Sequence, residues 1–375
     1  VRGCTRSPIR KGCEAEFALY RTAAMQIGLR TGNASVRKQK ANINPVESAG
    51  VCDLLLASRS VNFDMSLPPA DGRAFDVVGL GLNSVDLVAT ISGPLRLNHK
   101  HPAETLSRFA GGQAATAMAA CAKLGWRSRY IGNFGGDDNG EFSRSALVGA
   151  GVDVSGCRTC LGTKNQFAII VVDQQNGDRT ILWQRDPALR LRTADVRPEA
   201  VTSGRILLVD CGEVEAATRA VGIARKNRIP TVIDVERVRP KIENVLTEVD
   251  VIIAAQAFPS DFTGCADLGK AMHKLSRRFR APLVVVTLGE EGSLAVVGNR
   301  EIHSPGRTVQ VADTTGAGDA FRGGFISAWL ASSGDRNVSE LLAYANAVAA
   351  LNCRGLGARG GLPTALEVQA LLDSP

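Results

Sequence analysis

The sequence predicts an α/β fold, a mainly parallel sheet covered by helices on both faces. Three observations carry this. Short, continuous apolar runs recur: Arg205-Ile206-Leu207-Leu208-Val209-Asp210, Thr231-Val232-Ile233-Asp234, Val249-Asp250-Val251-Ile252-Ile253-Ala254 and Leu283-Val284-Val285-Val286-Thr287-Leu288-Gly289. A strand with one solvated face alternates apolar and polar residues, whereas one buried on both faces does not. Helix-length segments near 214–226, 241–247 and 265–279 separate the runs, as crossovers between parallel strands require. Asp210, Asp234, Gly289 and Asp319 fall at or just beyond the ends of the runs, the edge where such sheets gather ligands.

The chain has 375 residues, enough for a large core, with 44 basic and 37 acidic residues for a net charge of +7. Residues 1–64 hold ten basic and five acidic residues, a net of +5, which leaves +2 for the rest. The basic excess is therefore a property of the N-terminal stretch and does not point to a nucleic-acid partner. Residues 1–72 are expected to be an N-terminal extension, poorly ordered over 1–64, with Met65 as the natural start. Nine cysteines and four dispersed histidines offer one close pair, Cys157 and Cys160, with no second pair to complete a zinc site. Free thiols in a reducing compartment follow, and no apolar run reaches the roughly eighteen residues of a membrane span. A cytoplasmic protein with no membrane partner is expected.

From residue 73 the elements come in order. Phe75 to Gly81 reads as a buried strand into a turn, followed by Asn83, Asp86 and a strand over Leu87–Ile91. A polar, turn-rich stretch, 93–104, leads to a returning strand, Thr105–Phe109. Ala110-Gly111-Gly112-Gln113-Ala114-Ala115-Thr116 opens an Ala-rich helix, and Ser128–Gly132 is a strand. Gly135-Gly136-Asp137-Asp138-Asn139-Gly140 caps a helix over 141–148. Phe167–Asp173 and Arg179–Trp183 form a hairpin, so extra strands near 86–109 and 167–183 make a small separate sheet, placed as a lid. Near the end, the alternating run Thr308-Val309-Gln310-Val311-Ala312 predicts a strand. It leads into Asp313-Thr314-Thr315-Gly316-Ala317-Gly318-Asp319 and the apolar helix 320–330. Free N–H groups at that helix start make an anion site, which the glycines let a phosphate approach closely. Asp319 is then either a cap or a base beside bound phosphate.

Three stretches resemble the PfkB (ribokinase-like) carbohydrate kinase family: Gly111–Thr116 with Gly132, Gly135, Asp137 and Gly140 behind it, Thr287-Leu288-Gly289-Glu290-Glu291-Gly292, and Asp313–Asp319. Their order and spacing agree over roughly residues 75–370. The resemblance implies a three-layer α/β/α sandwich with a small β-sheet lid, over residues 73–372, and ATP-dependent phosphorylation of a sugar hydroxyl. It implies Asp319 as general base, with Gly316, Ala317 and Gly318 as the anion hole for the transferred phosphoryl, chemistry that needs positioning and charge neutralisation most. It implies Asn83, Asp86, Gly112, Gln113 and Thr116 on the sugar, and Thr287, Gly289, Gly292 and Asn346 on the nucleotide. ATP and magnesium are the implied cofactors, and Asp313 and Thr315 fall near the potassium loop of members that use that ion. The partners implied are a sugar and ATP, with a homodimer through the lid.

Two departures stand out. Thr116 replaces the Asn of many members, and Ala255-Gln256-Ala257-Phe258 replaces their Asn-x-x-Glu motif, linked to magnesium and phosphate. That loss, with Val235–Pro240, Cys353-Arg354 and Gly360-Gly361-Leu362-Pro363, looks more like the ketose-kinase side of the family. Arg354, Arg359 and Lys164 read either as contacts for an anionic substituent or as loop anchors. The rival readings are a nucleoside kinase, a non-catalytic relative serving as a scaffold, and a dinucleotide-dependent oxidoreductase hinted at by Gly79-Leu80-Gly81. Only Phe109 in the segment 98–109 is aromatic, which favours a sugar over a base.

Overall fold

The continuous apolar runs become the central strands of a large sheet because alternate side chains enter two separate cores. In the run Ile206–Val209, Ile206 and Leu208 pack into one cluster and Leu207 and Val209 into the other, all fully buried. The structure, a computed structural model, describes residues 61–62, 65–175, 179–332 and 337–374. The N-terminal extension expected over 1–64 lies outside the described residues except for two. Of these, Val61 accepts a hydrogen bond from the Val338 N–H and Asn62 bridges Asn337.

In chain order the elements are β1 (Val77–Leu80), β2 (Ser84–Ile91), β3 (Thr105–Gly111), α1 (Gln113–Lys123), β4 (Ser128–Ile131), β5 (Asn133–Gly135) and α2 (Asp138–Gly149). Then come β6 (Arg158–Cys160), β7 (Phe167–Asp173), β8 (Arg179–Gln184), α3 (Pro198–Val201), β9 (Ile206–Asp210), α4 (Val214–Lys226), β10 (Thr231–Val235) and α5 (Ile242–Leu246). The remainder is β11 (Val251–Ala255), α6 (Phe258–Thr263), α7 (Leu268–Phe279), β12 (Leu283–Thr287), β13 (Ser293–Val297), β14 (Arg300–Ser304), α8 (Ala317–Ala331), α9 (Val338–Asn352) and α10 (Ala365–Asp373).

The large sheet has the order β14-β13-β12-β11-β10-β9-β1-β4. It is parallel from β12 through β4 and antiparallel at β12-β13-β14. Ala216, Ala220 and Ala224 of α4, Val245 of α5 and Met272 and Leu275 of α7 cover one face. The other is covered by the Ala-rich α1, Leu147 of α2, Phe321, Phe325 and Trp329 of α8 and Leu341 and Leu342 of α9. The fold is thus a three-layer α/β/α sandwich. A second sheet, β3-β2-β7-β8, stands apart with its own small apolar cluster of Val88, Ala168, Ile170 and Val172.

Two expectations are corrected. Thr308–Ala312 forms no strand, because the sheet already ends at β14 and the Ala312 and Asp313 N–H groups donate instead to the Cys353 carbonyl. No helix follows Gly79-Leu80-Gly81, since the chain passes from β1 into β2. The core prediction concerns α8. Phe325 is fully buried against Trp329, with ring centroids 6.1 Å apart. Phe325→Ala should lower unfolding free energy by about 3–5 kcal/mol, read from urea denaturation; a loss below about 1 kcal/mol contradicts this packing.

Candidate active site

Parallel strands deliver their C-terminal ends to one edge, and the sequence places acids there. Asp210 ends β9 and Asp234 sits near the end of β10, both fully buried. Asp210 is held by three backbone donors: Oδ2 accepts from the Leu82 N–H at 2.6 Å and the Ala114 N–H at 3.2 Å, and Oδ1 from the Gly212 N–H at 2.9 Å. One carboxylate therefore ties the loop after β1 to the first turn of α1. Asp234 makes a buried ion pair with Arg322 of α8, 2.8 Å from Oδ1 to Nη2, and Gln113 lies beside it.

Asp86 is buried on β2, where Ser84 Oγ donates to its Oδ1 at 2.9 Å. Burial pushes the Asp86 carboxyl up to about 6, against the pull of the Ser84 hydrogen bond and the Arg359 charge. Strand register puts Phe109, Ala168 and Trp183 on the same face as Asp86. Trp183 is a second aromatic beside Asp86 that the sequence reading did not find, because it belongs to β8, far along the chain. Gly112 adopts φ +95°, and a Cβ there would lie 2.4 Å from the Asn83 Cα, so only glycine lets these two segments meet. The Asn83 amide is fully engaged: Nδ2 donates to Tyr130 Oη and the Asn133 carbonyl, and Oδ1 accepts from Ser143 Oγ. Thr116, buried in α1, accepts from Arg359 Nε at 3.2 Å, while Arg359 Nη2 donates to the Gly111 carbonyl at 2.8 Å. Arg359 also faces the carboxylates of Asp86 and Asp319.

Asp319 stands half-buried in the first turn of α8. No side chain caps this helix, which leaves N–H groups at its start for an anion. Gly316, at φ +75°, is its N-cap, and a Cβ there would come within 2.3 Å of the Ala358 carbonyl. Burial, then the neighbouring Asp234 charge, pushes the Asp319 carboxyl well above the usual carboxylate range, and Arg322 opposes them. Just upstream, the buried Asp313 accepts from the Thr315 N–H and the Gly357 N–H, both at 2.8 Å, and the Thr315 hydroxyl oxygen is buried without a hydrogen-bond partner.

The proposed nucleotide side gathers around the segment 304–306. Gly292 packs on the Ser304 carbonyl and Gly306, and buried Asn346 Nδ2 donates to the carbonyls of Ser304 and Pro305. Thr287 ends β12 with its hydroxyl donating to the Ala254 carbonyl at 3.5 Å, and Gly289 opens the following turn at φ +63°.

A family model of pfkB family carbohydrate kinases matches residues 75–365. The chain belongs to the pfkB family of carbohydrate kinases. This pfkB kinase is similar to a fructokinase of Klebsiella pneumoniae, 30% identical over 284 residues, covering 70% of this chain and 91% of that one. It is similar to an ATP-dependent ribose-1-phosphate kinase of Halopiger xanaduensis, 32% identical over 266 residues, covering 70% of this chain and 86% of that one. Its fold matches a structure of Arabidopsis thaliana ribokinase complexed with ribose and ATP, at TM-score 0.70 and 24% identity, covering 80% of this chain and 100% of that one. The pfkB assignment makes the protein an ATP-dependent sugar kinase, and ATP brings a divalent metal ion with it.

The residues at the end of β11 do not fit a protein-held metal. Phe258 is fully buried there, with its ring stacked on Phe262 at 5.6 Å, and Ala255 offers no ligand. Among the described residues no group of three or more His, Cys, Asp or Glu side chains is arranged to hold a metal ion. A divalent ion is then carried by the nucleotide phosphates. Nor, among those residues, is any helix long and apolar enough to cross a membrane.

The buried acids predict a pH dependence of stability. Burial holds Asp210 at about 7 and Asp86 and Asp234 at about 6 in the folded chain, against 3.8 ordinarily. Across that window the folded state binds more protons than the unfolded one, so stability falls as pH rises. The thermal midpoint should therefore drop between pH 4.5 and 7.5, less steeply in Asp210→Asn; a rise over that range contradicts this reading.

Proposed function

We propose that this kinase transfers the γ-phosphoryl group of ATP to a hydroxyl of a sugar or sugar derivative, with Asp319 as general base. One observation carries the reading: Asp319 sits at the uncapped N-terminus of α8, and Arg359 faces both it and Asp86. The sugar lies against Asp86, Gly112, Gln113 and Thr116, with the Asn83 backbone forming the floor beneath Gly112. The nucleotide lies along Thr287, Gly289, Gly292 and Asn346. Asp319 takes the proton of the attacking hydroxyl as the oxygen–phosphorus bond forms and the bond to ADP breaks. The backbone N–H groups of Gly316, Ala317 and Gly318 face the charge that develops on the transferred group.

Three finer readings go with it. Asp313 and Thr315 form a potassium loop, supported by the unpartnered Thr315 hydroxyl. A second copy of the chain covers the small sheet, supported by the edge position of β8 and by exposed Leu106, Ile169, Ile181, Leu182 and Trp183. The protein works in the cytoplasm, supported by free Cys121, Cys157, Cys160, Cys211, Cys265 and Cys353.

Release of ADP over a panel of D-fructose, D-ribose, sugar acids, sugar phosphates and adenosine, with ATP and magnesium, tests the reading. A sugar should turn over, and Asp319→Asn should cut kcat by roughly 100- to 10,000-fold with ATP affinity kept within a few-fold. A loss below tenfold contradicts the base assignment. A preference for adenosine contradicts the sugar, and turnover of no acceptor despite ATP binding supports a scaffold.

A further inference from the structure

Arg322 is the one charged residue in the apolar stretch Ala320–Leu330 of α8. It is 3% exposed, and no family motif named above includes it. Its Nη2 lies 2.8 Å from Asp234 Oδ1 and donates to the Ile253 carbonyl of β11 at 3.4 Å. Its Nη1 lies 2.5 Å from where a Cβ on Gly318 would be, so the guanidinium is pressed against the opening of α8. Arg322 is also three residues beyond Asp319, on the neighbouring face of the same helix. An ion pair this deep is weak as a stabiliser, because desolvation offsets most of its attraction. Apolar residues of the same volume would pack α8 on β10 and β11 equally well. The charge therefore calls for another reason.

The surroundings of Asp319 supply one. Asp234 and Glu236 face it from β10 and the loop after it, Asp210 from β9, Arg359 from the loop after α9, and Arg322 from its own helix. Three acids thus act on one carboxylate, and a general base must be ionised to accept a proton. Nearby, Ala255 and Phe258 leave the end of β11 without a polar side chain, while Arg322 reaches that strand's backbone. We propose that Arg322 is a positioning residue for Asp319: anchored on Asp234 and the Ile253 carbonyl, its guanidinium keeps the Asp319 carboxylate ionised beside the start of α8. Asp234 is the counterweight that sets how much of this charge Asp319 receives. This rests on Asp319 being the base, but the two claims fail separately.

The test is a titration of the full chain carrying 13C-carboxyl aspartate, followed by NMR, with the Asp319 signal identified by its loss in Asp319→Asn. Arg322→Gln should raise the Asp319 midpoint by about one pH unit or more, and Asp234→Asn should lower it by a similar amount. A role in packing alone would move neither, or both the same way, and either result overturns the proposal. If Arg322→Gln does not fold, Arg322→Lys keeps the charge and should leave the midpoint within about half a unit. Asp234→Asn then decides alone, a downward shift upholding the proposal and no shift overturning it. The acid limb of the kcat/KM profile, measured with the panel's best acceptor, should move with the midpoint. If the midpoint moves and the limb does not, Asp319 is not the base, and the electrostatic role of Arg322 stands.

Discussion

A parallel sheet brings the ends of its strands to one edge, and in this chain that edge concentrates negative charge in a place with little water. Asp210, Asp234 and Asp319 each raise the cost of ionising the others. The surrounding structure answers each acid differently. Asp210 receives three backbone N–H groups and becomes a clasp between the loop after β1 and α1. Asp234 receives a guanidinium. Asp319 keeps a solvent-facing side and receives neither. A group left partly uncompensated at the mouth of a cleft is placed to exchange a proton, whereas the other two are placed to hold shape.

Bringing these groups together requires close backbone approach between segments far apart in the chain. Gly112 lets α1 start against Asn83, and Gly316 lets α8 start against Ala358. Side chains then lock the arrangement. Asp313 holds Gly357, and Arg359 joins the same C-terminal loop to Gly111 and Thr116. The loop 353–361 therefore connects the start of α8 to the start of α1, so a change in the seating of a sugar against Asp86 has a direct mechanical route to Asp319.

Much of this was legible in the chain. Continuous Val/Ile/Leu runs identified β9 to β12 because burial on both faces leaves no alternative pattern. Asp319 and its glycines were legible because so few other helix entrances combine small residues with an acid. What escaped notice depended on partners remote in sequence. The alternation of Thr308–Ala312 is that of a strand, but a strand needs a neighbour, and this segment finds only the Cys353 carbonyl. The β13–β14 hairpin was missed because its residues carry little continuous apolar pattern. Arg322 looked like an incidental polar position in a buried helix; a lone charge in such a stretch is itself a signal that an acid waits opposite. Asn83 was expected at the substrate, and its amide is instead committed to Tyr130, Asn133 and Ser143.

The central claim is that one carboxylate, Asp319, stands between an acceptor hydroxyl and the terminal phosphate of ATP. The most direct measurement is a crystal structure of the chain with its acceptor sugar and a non-hydrolysable ATP analogue. The account predicts the acceptor hydroxyl oxygen within about 2.6–3.2 Å of an Asp319 carboxylate oxygen, with the γ-phosphorus on its far side facing the N–H groups that open α8. An acceptor hydroxyl directed away from Asp319, or a terminal phosphate bound away from the start of α8, would contradict it.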